Sequence, residues 1–234
     1  MDDSKFPIVT VILSTLMLGT YLFTHSNLVH YENLLGFLPS NINYYSFLTY
    51  VFIHVDFFHL ALNMILLIIA GLSMESKIGS WKFLLIFLIS ALFATFFDIV
   101  NRIGFGISSN VPFVGASGAV FGVLFVASLL GPFEKVPLGI MFAALIPYLS
   151  LIPSLGEFIE PIYLILITVA LIIVTSYAIP VSLPLLFSMI IFLTTWVVSL
   201  LIKYPIDISS LGHLGGALGG LISFLLLLSK REED

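Results

Sequence analysis

Apolar residues run through this chain in long blocks separated by short polar stretches. The blocks show neither the two-residue alternation of a half-buried strand nor the one-sided stripe of a surface helix. A segment apolar on every side is a buried or membrane-spanning helix. At 1.5 Å rise per residue, about 20 such residues cross the roughly 30 Å of bilayer hydrocarbon. Eight blocks qualify, over residues 6–23, 56–73, 81–100, 116–131, 136–152, 158–178, 182–202 and 209–229. They read as helices because backbone facing lipid must satisfy its own hydrogen bonds. The fourth and fifth are short, and Pro137, Pro147 and Pro153 leave the fifth open to a broken or re-entrant form. No internal repeat stands out.

Composition agrees with the pattern. Of 234 residues, 60% are hydrophobic and 9% charged, and the mean hydropathy is +1.19. This is an integral membrane composition, with too little polar chain left for a soluble domain. The expectation is a single membrane domain over residues 1–234. The net charge of −5 owes most to tail and loop carboxylates, among them Asp2, Asp3, Glu232, Glu233 and Asp234. No basic patch points to nucleic acid. Cysteine is absent, which excludes disulfides and thiolate chemistry. The first block is long for a signal peptide and lacks a small-x-small cleavage site, so it reads as an uncleaved span.

The loops set an orientation. With a cytoplasmic N-terminus, Lys5, Lys77, Lys82, Lys135, Lys230 and Arg231 lie inside and Arg102 and Lys203 outside. That excess obeys the positive-inside rule. Both termini are then cytoplasmic, and the long segment 25–47 is an outside loop, partly embedded. His59, Ser117 and His213 all fall near the N-terminal ends of helices running inward. They are expected at one depth, slightly below the outer surface.

Two short stretches carry candidate chemistry. Gly115-Ala116-Ser117-Gly118 opens the fourth block and Gly212-His213-Leu214-Gly215-Gly216 opens the last. Ser117 has a structural reading, a small helix residue bonded back to a carbonyl one turn earlier. It also has a chemical one: glycines on both sides admit a substrate chain, and a helix start offers free N–H groups and a favourable dipole. His213 begins His213-x-x-Gly216-x-x-x-Gly220, a small-xxx-small spacing that lets helices approach closely. Packing alone explains those glycines. A general base must also come within about 3 Å of its serine, so the two readings do not compete.

A third element is His54-Val55-Asp56-Phe57-Phe58-His59 through Asn63. His59 and Asn63 are four apart and share a helix face. Metal ligation is the rival reading, but no carboxylate shares the register and asparagine is a poor zinc ligand. Two donors beside a nucleophile suit an oxyanion hole. His54 lies off that face and nearer the surface, as a supporting or loop-anchoring group. Asp98, near the outer end of the third block, is expected to meet water or a backbone donor. Glu75, at the inner end of the second, is expected to tie its loop together.

Taken together, these elements resemble the rhomboid intramembrane serine proteases. The matching residues are Leu48-Thr49-Tyr50-Val51-Phe52-Ile53-His54, His59-x-x-x-Asn63-Met64, Gly71, Glu75 and Gly79, Gly115-Ala116-Ser117-Gly118, and His213-x-x-Gly216-x-x-x-Gly220. The resemblance implies Ser117 as nucleophile and His213 as general base, a dyad without an acidic third member. It implies an oxyanion hole from the Ser117 backbone, His59 and Asn63, with Gly115, Gly118, Phe121 and His54 supporting.

The chain departs from the family in three places. The first outside loop reads Asn43-Tyr44-Tyr45-Ser46-Phe47 where the family often carries Trp-Arg. Phe121 keeps the ring that stacks on the base but has no hydroxyl. Ser117 and His213 lie 96 positions apart, room for three helices where familiar members have one. The expected fold is therefore an all-α polytopic protein: a six-helix core over 6–131 and 180–229, with an inserted helical pair within 136–178. An even insertion keeps Ser117 and His213 on one side.

The resulting expectation is a multi-pass enzyme of the cell membrane that cleaves transmembrane segments of other proteins, with the bilayer and those substrates as partners and no cofactor or metal. The alternatives are a catalytically silent relative that binds membrane proteins, and a transporter.

Overall fold

A computed structural model describes residues 6–106, 108–133, 135–137, 182–184, 190 and 210–228. The elements are α1 (Ile8–Thr24), α2 (Leu28–Leu35), α3 (Ser46–Thr49), α4 (Phe57–Ile78), α5 (Ser80–Phe105), α6 (Ser117–Leu130) and α7 (Ser210–Leu227). One antiparallel pair joins β1 (Lys135–Pro137) to β2 (Ser182–Pro184). Apart from that pair the described elements are helical, as the apolar blocks predict. Three stretches, Ile8–Leu35, His59–Ile78 and Ser80–Gly104, are long and apolar enough to cross a membrane, while Ser117–Leu130 and Leu211–Leu227 are shorter apolar helices.

The strand pair corrects two boundaries. Residues 136–137 and 182–184 open the fifth and seventh predicted spans, yet they are extended and paired, Val136 opposite Leu183. Proline explains this: Pro137 and Pro184 supply no N–H and disfavour helix at the residue before them. The rest of those two blocks, and the whole block 158–178, lie outside the described residues. The pairing also brings the two ends of the intervening chain together.

The helices run past their apolar blocks. α4 continues to Ile78 and α5 to Phe105, where glycines of positive φ end them, Gly79 (φ 86°) and Gly106 (φ 66°), the second in the left-handed helical conformation. α1 buries Thr10, Leu13, Ser14, Met17, Tyr21 and Thr24, a stripe spaced by three and four residues. It packs on α4, where Gly71 lies against the Thr10 side chain so closely that a methyl group there would collide with it.

Glu75 locks that contact. Its carboxylate accepts from Val9 N–H (2.8 Å), Thr10 N–H (2.9 Å) and the Thr10 hydroxyl (2.7 Å), and from the Ser80 hydroxyl (2.6 Å). It therefore ties the α4–α5 turn, as expected, and also supplies the N-terminal cap that Pro7 does not give α1. Asp98 departs from expectation. It is buried and accepts from Arg102 Nε at 2.6 Å rather than from water or a backbone donor. A carboxylate sealed among helices needs a cation, and the i+4 position is the nearest place for one.

α5 is the central wall of the bundle, with α6 and α7 packed on it and on each other. The predicted outside loop holds two short helices, α2 and, at its end, α3, and it is stitched to the chain before α6. Phe37 and Phe113 exchange two backbone hydrogen bonds of 2.9 and 2.8 Å.

Candidate active site

Two glycines of α7 decide how close its histidine comes to α6. A Cβ on Gly216 would strike the carbonyl of Gly118, and one on Gly220 the carbonyl of Gly122. Gly215 and Gly219 turn the other way, against Phe93, Phe97 and Ser90 of α5. Two four-residue glycine repeats thus make two contact faces on one helix, and α7 wedges between α5 and α6 with backbone touching backbone. Gly118 adds its own requirement, since a Cβ there would hit Ala94.

The wedge delivers His213 to Ser117. Nε2 lies 2.7 Å from Oγ, across 96 positions of sequence. With the neutral ring protonated on Nδ1, the hydroxyl donates to Nε2, the geometry in which a base removes the proton as the oxygen attacks. His213 is buried at 6% exposure, while Ser117 is partly open. Phe121 stands one turn along α6, its ring centroid 5.3 Å from that of His213 at 62°. The contact is edge-on rather than the stacked one expected, and it still fixes one side of the imidazole.

Ser117 is the first residue of α6, and no side chain caps that helix. Its first-turn N–H groups are therefore left without a capping side chain, beside the Ser117 hydroxyl and at the positive end of the helix dipole. α4 differs at the same point. Asp56 caps it, accepting from His59 N–H at 2.7 Å, and so fixes the turn that bears His59.

Gly115 brings the two helix starts together. Its φ is +104°, and a Cβ on it would lie 2.6 Å from His59 Cε1. Glycine is required twice, by backbone sign and by contact. The His59 imidazole consequently lies on the backbone two residues before Ser117. Asn63 follows one turn later, buried, its amide donating to the His59 carbonyl at 2.9 Å. Among the described residues no group of three or more His, Cys, Asp or Glu could hold a metal ion.

His54 is fully buried within the protein beside His59, ring centroids 5.0 Å apart at 68°. Its Nδ1 lies 3.3 Å from the Phe52 carbonyl, and Nε2 has no partner among the described residues. Burial pushes its pKa down to about 3, with repulsion from His59 adding to the effect and the Phe52 carbonyl opposing it. His54 is a neutral ring that backs His59.

Sequence reasoning brought Ser117, His213, His59, Asn63, Gly115, Gly118 and Phe121 into one neighbourhood, and there the structure places them. It missed Asp56 and Tyr50. Asp56 carries the ordinary cap signature, an aspartate just before an apolar helix. Tyr50 gives no such signal: its carbonyl accepts from Gly115 N–H at 2.9 Å and its buried hydroxyl donates to the Ala91 carbonyl at 2.9 Å, anchors made by position.

Comparison with known proteins gives the chain a family. A family model described as Rhomboid domain matches residues 41–230. Rhomboid-type serine protease 2 of Emericella nidulans is 30% identical over 129 residues, covering 51% of this chain and 25% of that protein. Rhomboid protein 1, mitochondrial, of Saccharomyces cerevisiae is 34% identical over 85 residues, covering 36% of this chain and 25% of that protein. The matched regions span a quarter of each relative's length.

Proposed function

The chain belongs to the rhomboid family, a family of membrane proteins, and on that premise we propose that it is an intramembrane serine endopeptidase that cuts transmembrane segments of other proteins. The observation that carries the proposal is the 2.7 Å contact between Ser117 Oγ and His213 Nε2. It lies beside an uncapped helix start and the His59–Asn63 pair.

Helix lengths support a site below the membrane surface. α6 has 14 residues, about 21 Å, against roughly 30 Å of hydrocarbon. With its far end at one membrane face, Ser117 falls about 9 Å short of the other. Water must reach that depth from the end where α4, α6 and α7 begin. A substrate helix hides its carbonyls, so it has to unwind there before it can be cut, and small or helix-breaking residues should favour cleavage.

The steps follow from the groups in place. Ser117 Oγ attacks the exposed carbonyl while His213 takes its proton. The oxyanion meets N–H groups at the start of α6 with His59 and Asn63 as side-chain donors. The tetrahedral intermediate collapses to an acyl-enzyme as His213 returns the proton to the leaving amine. Water, deprotonated by the same histidine, then releases the acid and restores Ser117. The glycine wedge and Phe121 hold His213 for both halves of the cycle.

We read residues 136–178 as an inserted helical pair on a six-helix core. Pairing of Lys135–Pro137 with Ser182–Pro184 supports this, because the intervening chain leaves and returns at one point and so crosses an even number of times or none. The charge bias supports cytoplasmic termini. The cell membrane is the proposed location. A mitochondrial relative makes an organelle membrane the alternative, which cell fractionation decides.

The test is incubation of detergent-solubilised protein with a model transmembrane substrate, alongside Ser117→Ala and His213→Ala. Cleavage by the parent alone is the expected result. No cleavage by any of the three, with the substrate still bound, would instead mark a silent binding relative.

A further inference from the structure

A charged pair sealed inside an apolar bundle costs free energy and needs a return for it. Asp98 and Arg102 sit one turn apart on α5 with side chains 0% and 3% exposed. Their bond is single. Arg102 Nε donates to Asp98 Oδ2 at 2.6 Å, while Asp98 Oδ1 and Arg102 Nη2 meet no partner among the described residues. Arg–carboxylate pairs are frequently two-pronged, and this one is not. Here the guanidinium is turned so that Nη1 donates to the Ser108 carbonyl at 2.7 Å.

Ser108 opens the stretch that leads to Ser117. Further along, the Ser109 carbonyl accepts from Ser40 N–H at 3.2 Å, Phe113 pairs with Phe37, and Gly115 N–H donates to the Tyr50 carbonyl. Those three ties bind the stretch to residues 37–50. The Arg102 bond is of another kind: it comes from a charged side chain, and it runs to α5, the wall on which both dyad helices pack.

We propose that Arg102, held by Asp98, is a positioning residue that fixes the 108–116 stretch against α5 and so sets Ser117 relative to His213. The proposal rests on the protease reading. Its chemical logic is that of the fork: one N–H for the carboxylate, one for the loop carbonyl, from a group that never loses its charge. A lysine offers its donors from a single nitrogen and lacks that fixed fork. Misplacing a nucleophile by about 1 Å costs on the order of 10²-fold in rate.

The experiment compares wild type with Arg102→Met, Arg102→Lys and the double swap Asp98→Arg/Arg102→Asp. Each is measured for kcat and KM on a transmembrane substrate, thermal midpoint, and amide exchange across residues 106–116. Arg102→Met is expected to lower kcat about 10- to 100-fold with KM little changed, and to speed exchange in that stretch. The swap rebuilds the ion pair but moves the guanidinium a full turn from Ser108. It should recover the midpoint and neither kcat nor slow exchange. Recovery of kcat along with the midpoint would overturn the proposal, because the pair would then serve stability only.

Where Arg102→Met fails to fold, Arg102→Lys decides. An intermediate kcat at a near-normal midpoint supports positioning, and full kcat refutes it. If wild type cleaves nothing, the protease reading falls, and exchange across 106–116 still reports whether Arg102 holds the stretch.

Discussion

Gly115 sits where the local demands of the site meet. Its positive φ turns the chain into α6, and its missing side chain leaves room for the His59 ring. Both facts follow from a residue type visible in the sequence, although only the fold says which ring fills the space. The same holds for Asn63, whose spacing from His59 was legible and whose bond to the His59 carbonyl was not. Asn63→Ala is expected to lower kcat about 10²–10³-fold, as loss of an oxyanion donor does elsewhere. KM and thermal midpoint should move little, and steady-state kinetics with a melting curve check this. His54 gives a pH prediction. Its pKa is about 3 in the fold against an ordinary 6.5. Below pH 6.5 the unfolded chain binds a proton that the folded one refuses. Stability is therefore full above 6.5 and falls toward pH 3, by up to about 1.4 kcal/mol per unit. His54→Gln should flatten that slope in melting curves taken from pH 7 to pH 4. Burial of His54 could not be read from sequence, because a histidine before a helix looks alike in a loop and beneath one.

Helices of this protein meet through backbone, and glycine marks where. The spacing of Gly216 and Gly220 announced a close contact; its partners, the carbonyls of Gly118 and Gly122, needed coordinates. Gly216→Ala should push α7 off α6 and lengthen the Ser117–His213 contact. The expected cost is about 1–3 kcal/mol of stability and a larger loss of turnover. Leu218, exposed on the same helix, is the control: Leu218→Ala should leave both unchanged, as melting and cleavage assays run side by side will tell. Charges were harder to place than glycines. Asp98 and Arg102 have the four-residue spacing of a helical ion pair, a signal that was available, but hydropathy cut the helix at residue 100 and left Arg102 in a loop. α5 in fact runs to Phe105. Hydropathy finds where a helix is apolar, and capping by glycine decides where it ends. Glu75 illustrates the limit again, since nothing in a sequence links it to Thr10, its partner 65 positions away.

At the scale of the molecule, the long connection between Ser117 and His213 is the feature most particular to this chain. Parity argues for an even insertion on the proposed reading, and the pairing of Lys135–Pro137 with Ser182–Pro184 is consistent with it, because the chain between them begins and ends together. Reporters of sidedness fused at Pro153 and Pro180 should fall on opposite faces of the membrane; the same face would refute the inserted pair. The core was legible because a bilayer allows few backbones and because glycine, serine and histidine recur at fixed spacings. The strand pair was not, because three residues ending in proline leave no periodic trace. The proposed function stands on Ser117 being a nucleophile activated by His213. A fluorophosphonate probe, with the adduct located by mass spectrometry, tests it most directly. Labelling of Ser117 is expected in the wild-type protein and none in either Ser117→Ala or His213→Ala. Undiminished labelling of Ser117 in His213→Ala, or none in a folded wild-type protein, would contradict it.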